Sequence, residues 1–265
     1  MSRPTSPSPP EALFVGGLDS SGGAGLDADR DAARAFECAS HEVPSAMTDQ
    51  DLFEVRRVEE RMMWAREAEA HLDGGELAVM KFGLLPGIAS IVEAARLIAR
   101  GRHGARRIPA VVDPVIKASS GYRFWSDREL VQARDSLLVA GPIVTPNLDE
   151  LAELTWADRS EIGRSPDARV AAADRLLRAG ASGVVATGGH GPEEDLVRDL
   201  VLEPGEAPVW VERSRVPGEG IRGSGCRFAA ALACRRIYSQ CLWLWLLWLW
   251  LLWRRPLPAG GFIRN

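Results

Sequence analysis

The chain has no surplus of positive charge. Its formal net charge is −4 at pH 7, which gives no reason to expect nucleic acid or an anionic membrane as partner. An anionic ligand must then be held by local devices such as helix N-termini or a metal ion. Four cysteines, Cys38, Cys226, Cys234 and Cys241, form no CxxC pair and have no metal-ligand spacing. Reduced thiols in a cytoplasmic protein are the simplest account. The opening MSRPTSPSPP lacks an apolar core, so residues 1–10 read as a disordered leader and neither a signal peptide nor a membrane anchor. No stretch within residues 11–236 is rich enough in Pro, Gly or Ser to serve as a linker, and one domain is expected there.

Short apolar runs alternate with longer amphipathic segments. Ala12–Gly17, Leu77–Phe82, Ile108–Val112, Pro142–Thr145 and Gly183–Ala186 read as buried parallel strands. Pro86–Arg100 has apolar residues at helical spacing, Ser126 to Glu129 is a capping box opening a helix toward Leu138, and Ser165-Pro166 starts a helix that Ala179-Gly180 closes. Leu196–Leu202 and Val209–Arg213 read as a hairpin around Pro204-Gly205. The alternation predicts a three-layer α/β/α sandwich around a central, mostly parallel sheet. In such folds ligands bind beyond the carboxyl ends of the strands. Five strand ends carry Gly, Asp, Asn or Lys there: Gly16-Gly17, Lys81 and Gly83, Asp113-Pro114, Asn147, and Thr187-Gly188-Gly189.

Three motifs carry chemistry. Gly223-Ser224-Gly225-Cys226 runs into an alanine-rich helix, so its free amides form an anion site with a thiol beside it. The alternative is a glycine turn before a packed helix, with Cys226 a small buried hydrophobe. The Asp19–Gly25 loop, neither Walker A nor GxGxxG, enters a helix whose Asp29 either binds a ligand's polar groups or merely complements the helix dipole. Asn147 and Glu150 form a capping box or organise Mg²⁺ through water, and Asp113 either ends a strand or helps position that metal.

In order, LFVGGLDSSGGAGLDAD, MKFGLLP, VVDPVIKASSG, IVTPNLDELAEL, TGGHG and GSGCRFAAALA resemble the hydroxymethylpyrimidine/phosphomethylpyrimidine kinases of thiamine biosynthesis, members of the ribokinase superfamily. The resemblance spans about residues 12–236. It implies a cytoplasmic, often dimeric enzyme that uses ATP and Mg²⁺ to phosphorylate the hydroxymethyl oxygen of a pyrimidine, and often the resulting monophosphate. Carried over by position, Gly17, Asp29, Thr48, Gln50 and Val115 would hold the pyrimidine. Cys226 would be the base, and Gly223, Ser224 and Gly225 the anion hole. Asn147, Glu150, Thr187 and Gly189 would serve the nucleotide, with Asp113 and Glu150 at the metal. A thiol at a helix N-terminus is expected to have a lowered pKa.

Two departures stand out. Family members usually carry lysine directly before Gly-Gly-His, where this chain has Thr187. That leaves a pyrimidine-binding sensor or scaffold, or a kinase for pyridoxal-type alcohols, as competing readings. The second departure is residues 237–265, where Cys241–Trp253 reads CLWLWLLWLWLLW. Leucine and tryptophan on every face do not form an amphipathic pattern, and thirteen apolar residues are short for a membrane span. A short span extended by Ile237 and Tyr238, a buried or interfacial helix, and an aberrant low-complexity terminus compete, and the last, with no membrane partner, is the expected one.

Overall fold

The computed structural model describes residues 9–51, 54–189, 191, 195–215 and 222–236. Nine strands form one sheet in the order β3-β2-β1-β4-β5-β6-β7-β8-β9. They are β1 Glu11–Asp19, β2 Ala39–Gln50, β3 Val55–Glu60, β4 Leu77–Phe82, β5 Ala110–Val112, β6 Ile143–Val144, β7 Gly183–Ala186, β8 Leu196–Leu202 and β9 Val209–Ser214. The six strands from β2 to β7 run parallel, while β3 at one edge and the β8–β9 hairpin at the other are antiparallel. All five expected strands are present; β4 and β7 match residue for residue, β1 runs two residues further, and β5 and β6 are shorter. Pro10, assigned to the leader, already accepts the Ala39 amide.

β2 and β3 escaped the sequence reading for a physical reason. β3 reads Val-Arg-Arg-Val-Glu-Glu and has no buried residue, and β2 carries Pro44 among half-exposed polar positions. Charged side chains on such an edge suppress pairing with other chains. They also remove the apolar run that marks a strand.

The helices are α1 Leu26–Ala35, α2 Trp64–Gly74, α3 Gly87–His103, α4 Asp127–Gln132, α5 Leu148–Thr155, α6 Arg159–Arg164, α7 Pro166–Arg178 and α8 Ser224–Arg236. The Ser126 capping box is made, and its helix reaches Leu138 through a wider π-helical segment at Ala133–Leu138. Alternate residues of β1 feed two cores, as strand geometry requires. Leu13 and Val15 join Phe82, Leu97, Trp125 and Leu151 on one face, whereas Ala12 and Phe14 join Ala32, Ala33 and Ala229–Ala233 on the other. Small residues let α1 and α8 pack closely, which fixes α8 over the sheet with its N-terminus at the strands' carboxyl edge. Among the described residues no helix is long and apolar enough to cross a membrane, and the tail at 237–265 lies outside them.

Candidate active site

Two glycine-rich loops meet at the carboxyl edge of the sheet. The first leaves β1 at Asp19 and doubles back so that Gly25 bridges Leu18. Gly25 has φ 62°, and a Cβ there would overlap the Gly17 carbonyl. The second loop enters α8 at Gly223, with φ 73°, where a Cβ would lie 2.6 Å from the Gly23 carbonyl oxygen. Only glycine tolerates both the left-handed backbone and the contact. The close approach brings the α8 N-terminus to the ligand side of α1.

Four titratable groups converge beneath these loops. Lys81, at the end of β4, places Nζ 2.9 and 2.8 Å from the two carboxylate oxygens of Asp29 on α1. Both side chains are essentially inaccessible, 1% and 0% exposed. Burial raises Asp29 to about 6, with Lys81 opposing, so the carboxylate stays ionised at neutral pH. Burial alone would lower Lys81, but Asp29, Cys226 and Asp113 outweigh it and hold the ammonium charged. Sequence reasoning placed Asp29 on the pyrimidine; the structure gives both its oxygens to Lys81. The signal was present, since a lysine inside the buried strand Val79-Met80-Lys81-Phe82 requires an acid partner.

Cys226 sits in the first turn of α8, where its thiol feels the charges of Lys81, Asp113 and Asp29 and the Gly25 backbone. The expected lowering of its pKa is wrong. Burial pushes the thiol up to about 12, and the charges of Asp113 and Asp29 add to the shift against Lys81 and the Gly25 amide. A helix terminus acts over one turn, whereas these acids arrive from β5 and α1. Gly225 stands beside the same carboxylate, with its Cβ position 4.0 Å from Asp113 Oδ2.

Asp113 follows β5, and its amide donates to the Phe82 carbonyl at 2.8 Å. Burial raises its pKa, against Lys81 and Cys226. Burial and then the Asp113 charge push Glu150 well up. Glu150 also completes the capping box, its Oε2 accepting the Asn147 amide at 2.8 Å while Asn147 Oδ1 accepts the Asp149 and Glu150 amides at 2.9 Å. The cap and the acid pair are therefore not exclusive. Among the described residues no group of three or more His, Cys, Asp or Glu is arranged to hold a metal. Two buried acids, with the Asp113 charge raising Glu150 against the Asn147 and Ile116 backbones, do fit Mg²⁺, which takes one or two carboxylates and completes its shell with water and phosphate oxygens.

The remaining expected residues flank this centre. Thr48 and Gln50 lie on β2 beside the first loop, Gln50 Nε2 donating to Thr48 Oγ1 at 3.1 Å and Thr48 Oγ1 to the Leu18 carbonyl at 3.3 Å. Gly17 sits at the bulge of β1, and Val115 is half-buried after Pro114. Thr187 pairs with Asn147 and donates its amide to the Pro146 carbonyl at 2.9 Å. Sequence reasoning missed two supports of that turn. Buried Asp199 accepts the Gly188 amide at 2.7 Å, and Arg215 donates to the Gly189 carbonyl at 2.6 Å. His190 lies outside the described residues.

Comparison with known proteins bears on the family and the fold. The family model described as Phosphomethylpyrimidine kinase matches residues 19–242. A hydroxymethylpyrimidine/phosphomethylpyrimidine kinase of Streptomyces coelicolor is 33% identical over 239 residues, covering 88% of this chain and 84% of the relative. That of Bacillus subtilis is 30% identical over 224 residues, covering 84% and 79%. Among solved structures, an ADP complex of Bacillus subtilis pyridoxal kinase superposes with TM-score 0.78 at 25% identity, covering 91% of this chain and 88% of that one. The phosphomethylpyrimidine kinase of Clostridium difficile gives 0.73 at 22%, covering 92% and 97%, which shows the shared fold. With matches of this extent behind it, the chain belongs to the phosphomethylpyrimidine kinase family and has its ribokinase-like fold.

Proposed function

We propose that this chain transfers the terminal phosphoryl group of ATP to the hydroxymethyl oxygen of 4-amino-5-hydroxymethyl-2-methylpyrimidine, and then to the monophosphate so formed, in thiamine diphosphate biosynthesis. The carrying observation is that the Gly223–Cys226 turn closes on Asp113, whose Oδ2 lies 4.0 Å from the Gly225 Cβ position, with the charges of the buried Lys81–Asp29 pair acting on half-buried Cys226. The acceptor end, the anion hole and a proton path thus occupy one place.

Phosphoryl transfer mainly requires positioning and charge stabilisation. In this reading Gly17, Thr48, Gln50 and Val115 border the pyrimidine, and Asp29 shapes its floor through Lys81. The amides of Gly223, Ser224 and Gly225 face the oxygens of the transferring group. As the alcohol oxygen bonds to the γ-phosphorus and the bond to the bridging oxygen breaks to release ADP, the alcohol proton passes to Cys226 Sγ while the thiol proton passes to Asp113. Burial makes that carboxylate a better proton acceptor than an ordinary aspartate. Asn147, Thr187 and Gly189 line the nucleotide side. Asp113 and Glu150 would hold Mg²⁺, which when bound neutralises phosphate oxygens. We also read the chain as a cytoplasmic homodimer. Met62 and Met63 before α2 and Ile88 and Val92 on α3 are exposed apolar side chains, and sedimentation at increasing concentration checks that reading.

Incubation of the full chain with ATP, Mg²⁺ and the hydroxymethylpyrimidine, followed by mass spectrometry, should show the mono- and diphosphate. No pyrimidine-dependent release of ADP would reject the reading. Pyridoxal is the second alcohol to test, because the pyridoxal kinase superposition favours it next. Phosphorylation of pyridoxal alone would replace the first assignment.

A further inference from the structure

A transferring phosphoryl group needs cations near its oxygens. This chain supplies few lysines: of 32 basic residues only Lys81 and Lys117 are lysine. Lys81 is locked on Asp29, and Lys117 Nζ pairs with Glu153 at 2.5 Å. The strand end that faces the nucleotide carries uncharged Thr187. On that side Arg213 lies 3.5 Å from Asp199 and Arg215 is taken by the Gly189 and Gly191 carbonyls. Arg227, one residue after Cys226, turns back to the Arg222 carbonyl at 3.0 Å and lies 3.5 Å from Asp31.

Arg222 differs from all of these. It directly precedes Gly223, and its guanidinium reaches across the two glycine loops. Nη1 donates to Ser21 Oγ at 2.8 Å, and Nη2 lies 2.9 Å from Asp19 Oδ2. Buried Nη2 is thus ion-paired with Asp19, yet no hydrogen bond among the described residues is aligned with its N–H groups. A buried donor without an acceptor costs free energy unless a ligand completes it. Asp19, itself tied to the Ser21 amide and hydroxyl, fixes the Arg222 side chain against Gly23, the residue on which the Gly223 turn also closes.

We propose that Arg222 is a catalytic residue, the cation that meets the transferring phosphoryl group in place of a basic residue at position 187. This rests on the kinase reading above. The guanidinium is preorganised by Asp19 and Ser21, and its planar fork suits two phosphate oxygens.

The test uses the full chain with ATP and the hydroxymethylpyrimidine at saturation. In R222Q turnover should fall about a hundredfold, with KM for the pyrimidine changed less than about threefold. R222K should keep more activity than R222Q, because the charge remains while the fork is lost. Adding T187K to R222Q should recover roughly tenfold, since a lysine there restores a cation without touching the Asp19 contact. R222Q within about threefold of wild type overturns the proposal. So does an R222K as slow as R222Q together with no recovery by T187K, which would mean that Arg222 only clasps the loops. Wild type without any ATP-dependent phosphorylation defeats the kinase reading itself, before the variants are compared.

Discussion

The two halves of the sheet's carboxyl edge handle buried charge in opposite ways. On the β1–β4 side, Asp29 arrives with its own counter-ion, Lys81, held at both oxygens. On the β5–β6 side, burial raises both Asp113 and Glu150 and the Asp113 charge raises Glu150 further, against Lys81 and Cys226 at Asp113 and the Asn147 and Ile116 backbones at Glu150. The first half is electrostatically complete before any ligand binds. The second becomes complete when a cation does. A kinase needs this asymmetry: the acceptor pocket is to be rigid and neutral, while the phosphate side is to exchange its charge with each nucleotide. Cys226 stands on the seam, in the field of Asp113 from one half and of Lys81 from the other.

The largest effect should come from the seam. Cys226→Ala is expected to lower turnover about 10²- to 10⁴-fold, the span of general acid–base contributions, with the fold intact. Cys226→Ser should recover part of it, because a hydroxyl can also pass a proton to Asp113. Steady-state kinetics on both variants decides this, and an unchanged kcat in the alanine variant would remove Cys226 from the proton path.

Next comes the complete half. Lys81→Met leaves the Asp29 carboxylate buried and uncompensated, which should cost about 3–5 kcal/mol. A thermal melt should therefore fall by on the order of 10 °C for a domain of this size. Adding Asp29→Asn should return most of the loss, since the uncompensated charge is then gone. If Lys81→Met melts like wild type, the pair is not the closed unit described here.

What the sequence made legible follows from the range of each interaction. The strand ends were readable because Gly, Asp and Asn interrupt apolar runs, and the capping boxes at Ser126 and Asn147 because a cap is decided within four residues. β2 and β3 were not, since an edge strand is half solvated and loses the apolar signature. The state of Cys226 was misread for the same reason in another form. Its local setting, a helix N-terminus, lowers a thiol pKa, but acids from β5 and α1, remote in sequence, raise it. Asp199 beneath the Gly188 amide had no local signature either, being one charged residue in an otherwise ordinary strand.

The incomplete half should respond with the opposite sign. Glu150→Gln keeps an oxygen to accept the Asn147 amide but removes one of two repelling charges. Without Mg²⁺ the variant should melt higher than wild type, by about 1 kcal/mol in stability. The Mg²⁺ concentration giving half-maximal turnover should meanwhile rise about 10-fold or more. A variant that is both less stable and unchanged in its Mg²⁺ requirement would show that the acid serves the helix cap alone.

The smallest effect is a pH dependence of the metal-free protein. Glu150, Asp113 and Asp29 all have folded-state pKa values above their ordinary ones, Asp29 reaching about 6. Such groups bind protons more tightly folded than unfolded, so their contribution is present at low pH and is lost as pH rises through the folded values. Glu69 and Glu129 are held below the ordinary carboxylate value by Arg96 and Ser126, and their stability is surrendered only below that range. Between about pH 5 and 8 the first group therefore decides the sign, and the melting temperature should rise as pH is lowered. Saturating Mg²⁺ should flatten the part due to Glu150 and Asp113 by taking the protons' place, and leave the part due to Asp29, whose counter-ion is already built in. A slope that Mg²⁺ abolishes entirely, or leaves untouched, would erase the distinction between the two halves.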